Sequence, residues 1–149
     1  MASADRTYVD PSALRRLYVH DDRSRAFSTW RARLGGSLPL TLHGRAELVN
    51  SIALAVFRRD LTAEAAQGAM ADIESDLAED RLHLADLLWR KALERAADLS
   101  REHTPKLGTR TLDVLHVATA IVLGCRGFVT YDDRQAALAR AVKLRVTQP

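Results

Sequence analysis

Asp10, Glu47, Asp113 and Asp132 stand in four separate segments of this chain, each beside the start of a helical stretch. Asp10 closes the short apolar run TYV and is followed at once by Pro11, while Asp132 closes GFVTY and precedes DRQAALARAV. Glu47 falls early in RAELVNSIALAVFRRD, and Asp113 early in RTLDVLHVATAIVLG. Two readings of each acid are open. An Asp or Glu at a helix start caps free amides and complements the helix dipole, a contribution of about 0.3–1 kcal/mol. The same carboxylates, gathered from several segments, repel one another and need a cation between them. Oxygen donors without His or Cys at ligand spacing favour Mg²⁺ or Mn²⁺. Such ions activate water and offset charge on phosphate in phosphodiester hydrolysis. Asp113 separates the two readings best. Its segment is apolar on nearly every side, where a charge is costly unless it is paired or on a metal.

The elements that must carry these acids follow from periodicity. TYV (7–9), the alternating SLPLTLH (37–43), RLHLAD (81–86), GFVTYD (127–132) and KLRVT (143–147) read as strands. Helical spacing covers 12–19, an arginine-rich stretch at 22–34 that stops at Gly35-Gly36, and the run from Gly44 with apolar residues at 48, 49, 52, 53, 56 and 57. Further helices are expected after Thr62, an N-cap, and over 87–103, ending before Pro105. The last two are 110–124, closed by Gly124, and 133–142. Strands alternating with helices imply βαβ units and a mostly parallel sheet covered on both faces, an α/β fold. In such sheets ligands lie beyond the carboxyl ends of the strands, which is where Asp10 and Asp132 fall. With no repeat, low-complexity tract or linker, residues 1–149 are expected to form one domain.

Composition excludes several classes. One cysteine, Cys125, rules out a disulfide framework or a cysteine zinc site within the chain, and His20, His43, His83, His103 and His116 never pair at ligand spacing. The N-terminus lacks an apolar signal core and no apolar run is long enough to span a membrane, so a soluble, cytoplasmic protein is expected. Nineteen Arg against three Lys, within a net charge of +3, suit bidentate phosphate contacts, and they also suit a GC-rich genome. A sequence pI near 9.4 points weakly toward nucleic acid.

In order and nearly end to end, the chain resembles PIN-domain ribonucleases, specifically the VapC-type toxins of bacterial toxin–antitoxin pairs. YVDPSAL looks like that family's first strand, acid and nearby hydroxyl, and RAELVNSIALAVFRRD like its glutamate-bearing helix. LDVLHVATAIVLGCRGFVTYDDRQAALARA looks like the third acid, central helix, strand and fourth acid, and is the most specific stretch. The resemblance implies a three-layer α/β/α sandwich with a central parallel sheet. It implies a metal-dependent endoribonuclease whose Asp10, Glu47, Asp113 and Asp132 bind Mg²⁺, with Mn²⁺ as a substitute. Asp10 and Asp113 would be the most direct ligands. It further implies an RNA substrate, a VapB-like antitoxin protein that blocks the groove, a homodimer and no membrane. The polar MASADR before the first strand departs from the family's usual start.

Several neighbours carry two readings. Ser12 and Thr130 sit two residues from Asp10 and Asp132, placed to orient a carboxylate or merely to cap a turn. Asn50, three residues after Glu47, reaches substrate or lies at a helix edge. His116 is read as a buried, hydrogen-bonded histidine rather than a base. Asp133 caps the last helix or shares metal binding with Asp132. Arg134, Arg45, Arg15 and Arg16 bind RNA phosphates or solvate the surface. The alternative function is a PIN-like module that binds RNA or a protein without cutting. A response-regulator receiver lacks support, because the middle strand ends in His43-Gly44 and no suitable Lys follows. A phosphohydrolase would need D-x-D where Asp10-Pro11-Ser12 stands.

Overall fold

The computed structural model describes residues 3–149. Five short strands, β1 (Thr7–Val9), β2 (Leu38–Leu40), β3 (Leu82–Leu84), β4 (Gly127–Val129) and β5 (Arg145–Thr147), alternate with seven helices among the described residues. These are α1 (Pro11–Leu14), α2 (Ser24–Ala32), α3 (Leu42–Phe57), α4 (Ala63–Ala78), α5 (Trp89–Leu107), α6 (Thr111–Val122) and α7 (Asp133–Ala141). All three ladders are parallel: β1 with β4, β4 with β5, and β2 with β3. β1 and β2 lie side by side without a ladder, so the strands run in the order β3-β2-β1-β4-β5. The connections therefore diverge between β1 and β4, the place where α/β sheets bind ligands.

Alternation along the central strands explains the layers. Tyr8 and Phe128 are in register, as are Val9 and Val129, and successive side chains of a strand point to opposite faces. Val9 and Val129 belong to a core with Leu14, Phe27, Leu48, Ile52 and Ile73, under α1 to α4. Tyr8 and Phe128, stacked with centroids 5.5 Å apart, belong to the other, with Leu99, Val114, Val117 and Leu138 under α5, α6 and α7. The result is a three-layer α/β/α sandwich around a parallel sheet.

Local chemistry sets the element ends, in places away from the expected ones. Strand SLPLTLH is reduced to β2 because the Thr41 hydroxyl caps Gly44 N–H at 3.1 Å and starts α3 at Leu42. The helix expected over 12–19 is only α1 followed by a 3-10 turn at Arg15–Leu17. The long fifth helix passes through Pro105 and ends at Gly108, whose φ of 64° is the left-handed cap glycine tolerates. A hydroxyl bond of 2.8 Å between Thr104 and Thr109 holds that end closed. Among the described residues no helix is long and apolar enough to cross a membrane.

Candidate active site at the carboxyl rim of the sheet

Asp10 directly follows β1, and its backbone N–H donates to the Val129 carbonyl of β4 at 2.9 Å. It also caps α1: Oδ2 accepts from the Ser12 N–H at 3.1 Å and from the Ser12 hydroxyl. Its other oxygen, Oδ1, accepts from Gln135 Nε2 at 3.1 Å and lies 4.0 Å from His116 Nε2. Only 4% of the residue is exposed. Burial pushes its carboxyl above the ordinary range, against the pull of His116, Ser12 and Gln135.

Gln135 ties Asp10 to the third acid. The same Nε2 donates to the Asp113 backbone carbonyl at 3.3 Å. Both partners of the amide nitrogen are acceptors, which fixes its orientation and leaves Oε1 buried without a hydrogen-bond partner. Asp113 itself lies in the first turn of α6, with Oδ2 3.4 Å from Arg110 Nε. Asp132 is the N-cap of α7: Oδ1 accepts from the Gln135 N–H at 2.7 Å, and its own N–H donates to Thr130 Oγ1 at 3.1 Å. Asp113, Asp132, Asp133, Arg110 and Arg134 line a cleft of about 460 Å³.

Glu47 projects from α3 onto His116 of α6, with Oε2 2.6 Å from Nε2. The other ring nitrogen, Nδ1, lies 2.6 Å from the Tyr8 hydroxyl. The His116 hydrogen bond holds the Glu47 carboxyl below its usual range despite partial burial. Burial pushes the Tyr8 phenol well up, with Asp10 adding to it, so the phenol stays protonated and donates to Nδ1. Nε2 carries the proton given to the Glu47 carboxylate, and one ring serves both partners. His43 stacks on His116 with centroids 5.2 Å apart and meets Trp89 at 4.9 Å. Both His43 ring nitrogens are buried without hydrogen-bond partners among the described residues. Burial, then His116, depresses its pKa to about 4, so the ring is neutral at pH 7.

The donor set has the chemistry of a Mg²⁺ or Mn²⁺ site: hard carboxylate oxygens from four segments, with Gln135 Nε2 bridging Asp10 and the Asp113 carbonyl. The side chains are engaged elsewhere. Glu47 is drawn onto His116, Asp132 onto the first amides of α7, and Asp113 toward Arg110. Among the described residues no three His, Cys, Asp or Glu side chains converge into a ready metal cage.

The flanking residues divide. Ser12, Thr130 and His116 lie within the network, while Asp133 and Arg134 border the cleft, Arg134 donating to the Gly108 carbonyl at 3.4 Å. Asn50 is exposed on α3, and its side chain bonds to none of the described residues. Arg45 is ion-paired with Glu74, and Arg16 donates to the Ser12 carbonyl at 2.6 Å and pairs with Asp21. Sequence reasoning missed Gln135, Tyr8 and His43. Asp132 followed three residues later by Gln135 is a D-x-x-Q spacing that announces a capping box, not an amide turned toward a distant acid. The model of a family described as PIN domain matches residues 7–141. No curated protein matches the chain.

Proposed function

The chain belongs to the PIN domain family, and on that footing we propose that it is a metal-dependent endoribonuclease, the toxin of a VapBC-type pair. PIN domains are generally nucleases. The observation that carries the finer reading is the junction at Gln135, which joins Asp10 to Asp113 where the connections of β1 and β4 diverge. Asp10, Asp113, Asp132 and Glu47 would hold Mg²⁺, with Mn²⁺ able to replace it. When bound, the ion supplies charge neutralisation at the scissile phosphate and lowers the pKa of the attacking water.

The chain's own residues do the positioning. Ser12 and Gln135 fix both oxygens of Asp10. Glu47, kept ionised by His116, is an acceptor throughout the neutral range. Arg110 and Arg134, beside Asp113 and Asp132, offer guanidinium groups to the phosphates of an entering RNA strand. In hydrolysis the water oxygen bonds to phosphorus, the bond to the leaving oxygen breaks, and that oxygen departs with a proton.

A VapB-like antitoxin and a homodimer belong to the same proposal, as does a cytoplasmic setting. Support for docking comes from the exposed Leu88, Trp89 and Leu93, which begin at the His43 stack, and from Phe57 at the end of α3. One observation favours a second reading, a PIN-fold module that binds RNA without cutting: the acids are held apart in separate hydrogen bonds. The test is cleavage of labelled total cellular RNA by the purified chain with Mg²⁺, with Mn²⁺ and with EDTA, beside Asp113→Asn. Discrete metal-dependent products absent from the variant support the nuclease. A folded chain that cuts nothing with either metal moves the assignment to the binding module.

A further inference from the structure

The end of the sheet opposite the acids is basic. Arg6 immediately precedes β1, Arg126 immediately precedes β4, and Arg145 opens β5. Backbone hydrogen bonds place them on consecutive strands: Arg126 N–H donates to the Arg6 carbonyl at 2.9 Å, and Arg145 N–H to the Arg126 carbonyl at 2.8 Å. Arg6 lies beside Arg126, and Arg145 is in register with Gly127 one position on, so the three charges gather at one edge with Arg145 offset along the strand. Arg140 and Lys143 extend the patch at the carboxyl end of α7. All five are exposed, and none forms an ion pair among the described residues.

Arg140 and Lys143 have a reason within the fold, since cations complement a helix carboxyl terminus. Arg6, Arg126 and Arg145 have none. Two clefts open on this edge. One, of about 440 Å³, is lined by Arg6, Arg126 and Arg145 with Trp30 at its side. The other, of about 540 Å³, is lined by Arg126, Arg140, Lys143 and Arg145. Arg126 and Arg145 stand between them and face both. The chain's Lys and Arg outnumber its Asp and Glu by three, so these five cations exceed the entire net charge.

We infer that this amino edge of the sheet is a second RNA-binding surface, gripping the phosphate backbone away from the acids; the ligand class rests on the nuclease reading above. Phosphate is favoured over an acidic protein segment by what the edge lacks. A protein-binding patch is built around exposed aromatic or aliphatic anchors; here the one aromatic in the clefts, Trp30, is half-buried against the core, and none of the large exposed apolar residues lies on this edge. Four of the five cations are Arg, whose planar fork matches phosphate oxygens. Asp132 lies six positions after Arg126, beyond β4, at most about 20 Å away at roughly 3.3 Å per residue. An RNA that touches both ends must therefore be long enough to span the sheet.

The test measures binding apart from cleavage. A fluorescein-labelled polyuridylate strand is titrated with the full chain and with Arg6→Gln/Arg126→Gln/Arg145→Gln, in EDTA, across a salt series. The expected result is at least about tenfold weaker binding at low salt, with the slope of log K against log salt smaller by about two, at roughly 0.7 per lost phosphate contact. Matching circular dichroism and melting of the two proteins secure the comparison. Unchanged affinity and slope in the triple variant overturn the proposal. So does a native chain that binds polyglutamate through these arginines and leaves polyuridylate free. A chain that shows the expected slope change yet cuts no RNA with Mg²⁺ or Mn²⁺ overturns the nuclease reading alone.

Discussion

His116 Nε2 and Glu47 Oε2 are 2.6 Å apart, joining a fully buried side chain of α6 to a partly exposed one of α3. The Glu47 carboxylate, an acceptor, requires the proton on Nε2, and the Tyr8 hydroxyl holds the opposite ring nitrogen. Tyr8→Phe keeps the ring and removes only that donor, leaving Nδ1 without a partner in a dry site. The expected cost is about 1–3 kcal/mol, measured by urea unfolding. A midpoint equal to that of the native chain would show that the Tyr8–His116 bond contributes nothing to stability.

Asp10→Asn should leave the fold in place, because Asn caps a helix about as well as Asp and no charge is then buried. Cleavage should fall by about a thousandfold, equivalent to losing several kcal/mol of charge stabilisation in the transition state. Single-turnover cleavage beside a thermal melt separates the two effects. A variant that melts earlier while its folded fraction keeps full specific activity removes Asp10 from the ligand set.

Gln135 is buried between two acceptors. Gln135→Leu strips a donor from a buried carboxylate and should cost about 1–3 kcal/mol. Gln135→Glu should be worse at pH 8 than at pH 5, because a second carboxylate then faces Asp10 and only protonation relieves it. Urea midpoints at the two pH values decide this, and equal penalties would place the Gln135 side chain away from Asp10.

Acid should weaken the fold in two stages. His43 is depressed to about 4, below its ordinary value near 6.5, so the unfolded chain takes up the proton first. Stability is lost as pH falls from 6.5 toward 4. Glu47 is also lowered, and the stability it contributes disappears as pH falls through its folded value. Asp10 runs the other way: its raised pKa makes its contribution fullest at low pH and smaller as pH rises through the folded value. His43→Phe should flatten the decline between pH 6.5 and 4 in a melting series. An unchanged slope would show that His43 titrates normally.

Mg²⁺ should raise the melting midpoint of the native chain, since a ligand held only by the folded state stabilises by about 2.7 kcal/mol at a hundred times its dissociation constant. Asp113→Asn should abolish the shift. An equal shift in both proteins would locate the ion elsewhere.

How far the sequence reaches is clear from particular residues. Asp10-Pro11 and Thr62 announced helix starts because capping is local chemistry, readable from a few neighbours, whereas the cap expected of Asp133 on the last helix belongs to Asp132. TYV and GFVTY were equally legible as strands, while the split of Tyr8 and Phe128 from Val9 and Val129 onto opposite faces came from the packing. Gln135 was invisible as a site residue because its partner is 125 positions away. The His43–His116 stack joins two helices remote in sequence, so ligand-spacing rules pass over it. Pro105 misled for the opposite reason: a local rule ended α5 early, while Gly108 supplies the actual stop.

Asp10 is bonded through its backbone to Val129, one position beyond the β1–β4 ladder. The first acid is therefore a rung of the sheet, not a passenger on a loop. Heat cannot loosen it while the centre of the molecule stays intact. Inactivation and loss of the sheet should follow a single curve, with no warm, folded, inactive form between them.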